Sequence, residues 1–175
     1  TPPPPAQVPL SRAAPDSLGC RREDGAPALR GSGLCVPRVA KTTIRAGAWL
    51  SSKWRSRAPE GRVLLRAFVG GARDPEVMSR TDGELVFAAQ RELGRLLGIR
   101  GEPIFSKLHR WDRANAQHNV GHLEIIAAID RRLAALPGLF VTRSGFRGVG
   151  VPDSVADARP AGAPAAQWLS ATRTN

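Results

Sequence analysis

Long apolar runs are missing from this sequence. None approaches the roughly 20 residues that span a bilayer, so no transmembrane helix is expected. Cysteine is scarce: Cys20 and Cys35 supply neither a disulfide framework nor a zinc set, and two thiols suit a reducing cytosol. The Pro-rich start, residues 1–9, lacks the apolar stretch of a signal peptide. A cytoplasmic location is therefore expected, with peripheral membrane contact left open. Lysine is scarce too, at three of 26 basic residues. The net charge of +11 and pI near 11.5 invite a nucleic-acid reading. The arginines are scattered, however, with Arg21-Arg22 and Arg131-Arg132 the adjacent pairs, and Ala, Gly and Pro are abundant alongside them. That joint bias reads as coding composition, and no nucleic-acid partner is expected. A Gly-x-Gly-x-x-Gly turn after a strand is also lacking, since Gly145-Phe-Arg-Gly148-Val-Gly150 has the wrong spacing. The sequence has no dinucleotide fingerprint of its own. Because it opens at Thr1, it is expected to begin inside a longer reading frame.

What is present divides by texture. Residues 1–15 read as a disordered Pro-rich lead. Short β-compatible runs follow at 17–21, 34–39, 42–51 and 62–69, separated by Gly and Pro turns, with no helix between them. Close spacing of this kind implies antiparallel pairing. Thr81 and Asp82 can cap a helix in which Leu85, Val86, Ala89, Leu93, Leu96 and Leu97 recur at helical spacing, and Gly98 is its stop. Residues 102–111 are a candidate strand. A second helix is expected over 119–136, with Leu123, Ile126, Ala127, Leu133 and Leu136 inward and Pro137-Gly138 as the stop. Residues 139–142 read as a short buried strand that enters a Gly-rich turn, and Pro152 suits the first turn of a last helix. The fold class is α+β: residues 16–111 form an antiparallel β portion with one helix, and residues 112–175 a helix, strand, Gly turn and final helix.

The Gly turn carries the most chemistry. N–H groups exposed where a helix starts, at the positive end of its dipole, suit an anion or the electron-rich edge of a ligand. Gly148 and Gly150 would let such a ligand approach the backbone closely. The alternative is a tight strand–helix connection with no ligand. His118 and His122 stand four apart, as a zinc pair would. No Glu lies between them as a base and His109 falls on another element, so structural roles are favoured and no metal site is expected. Trp54 and Trp111 read as core or hinge aromatics. Glu92, Glu102, Asp112 and Glu124 form no evident acid/base pair, and Ser51-Ser-Lys53 has nothing to complete a nucleophilic site.

Several segments together resemble the protoporphyrinogen and coproporphyrinogen oxidase branch of the flavin amine-oxidase superfamily. They are Gly31-Ser-Gly-Leu-Cys-Val-Pro-Arg38, Ser51-Ser-Lys-Trp54, Leu64-Leu-Arg-Ala-Phe-Val-Gly-Gly-Ala-Arg-Asp-Pro75, Arg110-Trp111 with Val120-Gly-His-Leu-Glu124, and Gly148-Val-Gly-Val-Pro-Asp153. They occur in the family's order from about residue 17 to about residue 158. The resemblance implies a substrate domain built on an antiparallel sheet, then a return to a Rossmann-type FAD domain whose amino-terminal half is absent here. It implies FAD as cofactor, a porphyrinogen as substrate and oxygen as the usual acceptor, in haem biosynthesis. It places Ser144, Val149, Gly150 and Val151 at the flavin, and makes the missing FAD half a partner.

Departures from the family pattern stand beside the resemblance. Arg143 replaces a Gly next to the flavin contact, where a bulky cation would crowd the cofactor. His118 replaces a Tyr, Ala116 a Pro and Ser154 a Cys. Pro160, Gly162 and Pro164 are expected to stop the last helix near Arg159. A fragment, split or decaying gene fits these changes, and such a chain would be inactive by itself. The alternatives are a non-catalytic relic serving as a basic interaction module, and another flavin amine-oxidase-like oxidoreductase. Apolar faces left open in a fragment would favour aggregation.

Overall fold

The computed structural model describes residues 8–24 and 29–173, and the expectation of disorder over residues 1–7 lies outside them. The chain forms two compact units, Ser11–Ala114 and Thr1–Leu10 with Asn115–Asn175.

The first unit is a mixed antiparallel sheet and helix. Its strands are β1 (Leu10–Arg21), β2 (Gly33–Cys35), β3 (Ile44–Trp49), β4 (Arg62–Gly70), β5 (Phe105–Leu108) and β6 (Trp111–Ala116). The order is β2-β3-β4-β1-β5, with β6 also on β1. The β1–β4, β1–β5, β2–β3 and β3–β4 pairs are antiparallel. Residues 10–15, expected to be disordered, instead open β1. Proline is tolerated there because of where its missing N–H falls. The Pro15 carbonyl accepts from His109 N, in the gap where β5 ends and β6 has not begun. The same gap splits the expected strand 102–111 into two.

Alternation sorts the side chains. Ala14, Leu18 and Cys20 of β1 and Val63, Leu65, Ala67 and Val69 of β4 turn to one face and are buried. They pack against Leu85, Ala89 and Leu93 of the long helix, here numbered α2 (Asp82–Leu97) after the one-turn α1 (Leu50–Lys53). A bulge at Arg45 shifts the parity of β3, so that Ile44 and Trp49 both reach this core. The start of α2 is a complete capping box: Glu84 N donates to Thr81 Oγ1 at 3.3 Å, and Thr81 N donates to Glu84 Oε2 at 2.8 Å. Gly98, at φ 70°, ends the helix in the left-handed conformation. Arg110 ties the head of α2 to the sheet unit, reaching Asp82 Oδ1 at 2.6 Å and the carbonyls of Met78 and Arg80.

Two carboxylates lie inside this core. Glu92 accepts from Thr43 N and Ile44 N, both at 2.9 Å, and so satisfies the entry to β3. Asp16 is fully buried. Its Oδ1 accepts from Ser106 Oγ at 2.8 Å, while Oδ2 has no hydrogen-bond partner among the described residues. Burial raises its pKa above the ordinary carboxylate value, against the Ser106 hydroxyl and the Lys107 amide, which lower it.

The second unit is helical: α3 (His122–Ala134) and α4 (Val151–Arg173). The first is shorter than the expected 119–136, because Gly121 sits at φ 91° just before it. Its inward residues are His122 and Ile126, whereas Leu123 is 78% exposed and Leu136 is also exposed. Ile125, Ile129 and Leu133 are partly buried on the same side as His122 and Ile126, opposite Glu124 and Arg131, so the expected stripe lies too far round the helix at Leu123 and Ala127. Residues 139–142 form no strand: they pair with nothing among the described residues and are partly exposed. The last helix does not stop near Arg159 but runs through Pro160 and Pro164 to Arg173. The two prolines are exposed and four apart, so the carbonyls they leave unbonded share one solvated side. Seven alanines supply propensity, and Trp168 packs so closely on Gly138 that a Cβ there would lie 2.5 Å from its ring. No helix among the described residues is long and apolar enough to cross a membrane.

Replacing Glu92 by Ala strands two buried amide donors and should cost about 2–4 kcal/mol in chemical denaturation, with Gln costing less. Equal losses for both variants would show that the carboxylate is not their acceptor. For Asp16 the folded pKa lies above the unfolded one. Its contribution is therefore full below the ordinary value of 3.8 and is lost as pH rises through the folded value. Asp16→Asn should flatten that loss in a pH series of melting curves. Parallel wild-type and variant profiles would remove the buried-charge account.

Candidate functional site

The turn that precedes α4 is closed by its own backbone. Gly145 N donates to Gly148 O at 2.7 Å and Phe146 N to Arg143 O at 3.3 Å, while Ser144 Oγ reaches Val149 O at 3.5 Å. Gly145 is required twice over, by its φ of 93° and because a Cβ would lie 2.7 Å from Ala116. Gly148 is required by packing: a Cβ there would come within 2.3 Å of Asp153. Asp153 needs that space because its Oδ2 accepts from Gly150 N at 3.2 Å, capping the helix and placing negative charge at the positive end of its dipole. Ser154 then returns both its amide and its hydroxyl to Gly150 O, each at 3.0 Å. The amides of Val149 and Val151 have no partner among the described residues, and the two side chains are 60% and 79% exposed. The structure thus brings Ser144, Val149, Gly150 and Val151 together around one turn with unclaimed N–H groups beside it.

Two further sets of side chains hold this turn. His122, 7% exposed, places Nε2 2.6 Å from Phe146 O, and His118 places Nε2 3.1 Å from Gly145 O. A carbonyl only accepts, so both rings are Nε2–H donors. Their centroids stack 4.0 Å apart. The histidines read from sequence as structural therefore bind backbone, and consecutive carbonyls of this turn at that. On the other side Arg147 forks onto both oxygens of Asp130 at 2.7 Å and reaches Asp157 Oδ1 at 2.6 Å. Asp157, its side chain 5% exposed, also accepts from Thr142 Oγ1 at 3.0 Å. Burial would raise its carboxyl, but the hydrogen bonds from Arg147 and Thr142 outweigh that and hold it below the usual range. This clamp is absent from the sequence reading. The signal for it was Arg147, a lone charge between two turn glycines, with Asp157 four residues after Asp153 on the helix.

Beside the first turns of α4 lies a cleft of about 570 Å³, lined in part by Val141, Arg147, Asp157 and Pro160. Its one cation is consumed by Asp130 and Asp157, so the cleft offers no free positive charge to a ligand. Arg143, which sequence placed as an obstruction, swings its guanidinium over the Phe146 ring, 6.0 Å from the centroid. The unclaimed Val149 and Val151 donors suit the carbonyl edge of a planar heterocycle such as a flavin. They would not hold a phosphate, which Asp153 would repel.

Residues 18–162 match the family described as flavin containing amine oxidoreductase. The chain is 34% identical over 140 residues to coproporphyrinogen III oxidase of Bacillus subtilis (strain 168), covering 79% of this chain and 30% of that protein. It is 33% identical over 125 residues to the chloroplastic protoporphyrinogen oxidase of Nicotiana tabacum, covering 69% of this chain and 23% of that one. Among solved structures, a candidate protoporphyrinogen oxidase from Exiguobacterium sp. 255-15 superposes with a TM-score of 0.75 at 26% identity, over 97% of this chain and 36% of that one. Reduced UDP-galactopyranose mutase shares the fold at a TM-score of 0.53 and 10% identity, over 74% of this chain and 27% of that one. The chain therefore spans less than a third of the length of these curated relatives.

The latch is testable in the turn itself. His122→Phe keeps a ring and removes the donor, leaving Phe146 O unpaired at a cost of about 1–3 kcal/mol. Hydrogen exchange at the Gly145 amide should accelerate by about tenfold or more. Unchanged exchange would mean that the turn holds without the histidine.

Proposed function

Because the chain belongs to the family of flavin-containing amine oxidoreductases, we propose that it is the carboxy-terminal part of an FAD-dependent porphyrinogen oxidase. The substrate is protoporphyrinogen IX or coproporphyrinogen III, oxidised to the porphyrin in haem biosynthesis with oxygen as acceptor. The observation that carries the reading is the α4 entry turn, whose Val149 and Val151 amides are unclaimed among the described residues.

When bound, FAD accepts the hydride equivalents that leave the macrocycle. This chain's share is positional. Ser144 and residues 149–151 contact the flavin, with backbone N–H groups offered to its carbonyl edge. The latch of His118 and His122 and the Arg147 clamp keep those donors in place before the cofactor arrives, so little ordering entropy remains to be lost on binding. The Arg143 guanidinium lies over the ring of Phe146, within the same turn. The pyrophosphate and adenosine of FAD need a separate Gly-rich strand–helix turn, which this sequence lacks, so the chain is inactive alone. The nucleotide-binding half is thus its necessary partner, and the cytoplasm, with or without a membrane surface, its setting.

Purified full-length protein carrying this chain should hold FAD and turn a porphyrinogen into its fluorescent porphyrin while consuming oxygen. Gly148→Ala, which drives a Cβ into Asp153, should lower flavin occupancy about tenfold without unfolding the sheet unit. A colourless, folded protein would leave the non-catalytic interaction module as the reading.

A further inference from the structure

We propose that the uncovered face of the sheet carries a carboxylate-binding row for a tetrapyrrole, with Arg66 and Lys107 as its cations. The assignment rests on the porphyrinogen reading and names the side chains that receive that substrate.

The row follows from register. Ser17 of β1 stands opposite Arg66 of β4 on one side and opposite Lys107 of β5 on the other. Directly opposed residues share a face, and Ser17, Arg66 and Lys107 alternate with the residues that pack on α2, so all three point away from the helix. Strands lie about 4.8 Å apart, which sets the two basic residues' backbones about 10 Å from each other. Arg66 Nε donates to Ser17 Oγ at 3.4 Å, which steers the guanidinium along the row and leaves its terminal nitrogens for a ligand. Arg12, Arg21, Arg45, Arg110 and Arg147 each sit on a carboxylate. Arg66 and Lys107 have no acidic partner among the described residues. Asp16, next to Ser17, is turned to the opposite face and buried.

The neighbouring rows supply apolar surface. Phe68 stands opposite Pro15 and is 39% exposed. The ring of Phe105, half exposed, lies over Gly19, where a Cβ would come within 2.2 Å of it. Beyond β4 the same face is low, with Ala46 and Ala48 opposite Phe68 and Arg66. Two separated cations with an aromatic on either flank and a low floor match a broad macrocycle with carboxylates at its rim. A compact anion would use the cations and leave the aromatics idle. A nucleic acid would call for the unbroken basic track that this face lacks.

Coproporphyrin III serves as the probe, titrated by fluorescence into the full-length protein and, separately, its tetramethyl ester. Arg66→Gln and Lys107→Gln should each weaken binding of the acid by about tenfold, the worth of one charge-assisted hydrogen bond. Arg62→Gln, on the same strand and face but outside the row, should leave it within about twofold. The ester should bind weakly to all four proteins. Circular dichroism checks that each variant is folded, and Phe105→Leu, which trims the flank and keeps every charge, tests the apolar surface independently. Equal losses from Arg62 and Arg66, an ester that binds like the acid, or no binding by wild type would each overturn the row. Flavin occupancy, measured on the same samples, reports on the oxidase reading separately. A yellow protein whose porphyrin affinity ignores Arg66 and Lys107 keeps the oxidase and loses the row.

Discussion

The nine paired positions between β1 and β4 govern the sheet unit. Side chains alternate, so this register decides at once which residues meet α2 and which face away, and a slip of one residue would exchange the two sets. It is held from several directions. Ala14, Leu18, Val63, Leu65, Ala67 and Val69 are all nearly fully buried on the helix side, and each such burial stabilises by about 1–3 kcal/mol. A slip would put Arg62 and Arg66 into that core and expel the valines. The bulge at Arg45 carries the same logic into β3, where strict alternation would strand either Ile44 or Trp49.

The helical unit is organised differently. Its Gly turn buries little apolar surface and is fixed by hydrogen bonds from both sides. Two stacked imidazoles hold its carbonyls at Gly145 and Phe146, and Arg147 grips α3 through Asp130 and α4 through Asp157. With Nη2 on Asp130 and Nη1 on Asp157, the planar guanidinium has its orientation fixed by two carboxylates. That pairing fixes where the turn lies even though Arg147 itself is substantially exposed and contributes modestly to stability. Asp157, nearly buried, depends on that pairing more than Arg147 does, because without it a carboxylate would sit in a poorly solvated site with the Thr142 hydroxyl and the Arg143 amide as its remaining donors.

How much of this was legible depended on whether the information was local. Thr81, Glu84 and Gly98 announce α2 in the sequence because capping chemistry is settled within four residues. The glycines at 145, 148 and 150 announce a turn for the same reason. Residues 10–15 looked like a disordered lead because Pro15 is a poor strand residue by itself, and its acceptability depends on a gap between β5 and β6 some ninety residues later. Residues 139–142 have strand composition but no partner, and composition cannot supply one. The inward stripe of α3 was misplaced because a polar residue, His122, sits on it beside Ile126, with Ile125, Ile129 and Leu133 flanking, while the more apolar Leu123 faces out. The stop expected from Pro160, Gly162 and Pro164 failed because of where the prolines fall on the helix. Set on one exposed side, with alanines around them and Trp168 seated on Gly138, they are carried by the helix.

The same distinction bears on which substitutions each proposed surface tolerates. The proposed flavin contact would be made of main chain, so it would ask of the sequence only that nothing block the approach and that the turn stay folded. That is why Arg143 in place of Gly, His118 in place of Tyr and Ser154 in place of Cys leave the turn formed. The arginine leans onto Phe146, the histidine reaches a carbonyl, and the serine returns to Gly150 O. The tetrapyrrole row is made of side chains, and its information lies in charge and reach. Arg66 and Lys107 come from segments forty residues apart and become neighbours only through Ser17 between them. A surface of that kind has no local signature, and losing either charge alters it directly. Departures from a family pattern therefore carry different weight in the two places: at the turn they are repacking around an unchanged backbone, while on the open sheet face a single exchange would change which carboxylates the protein can hold.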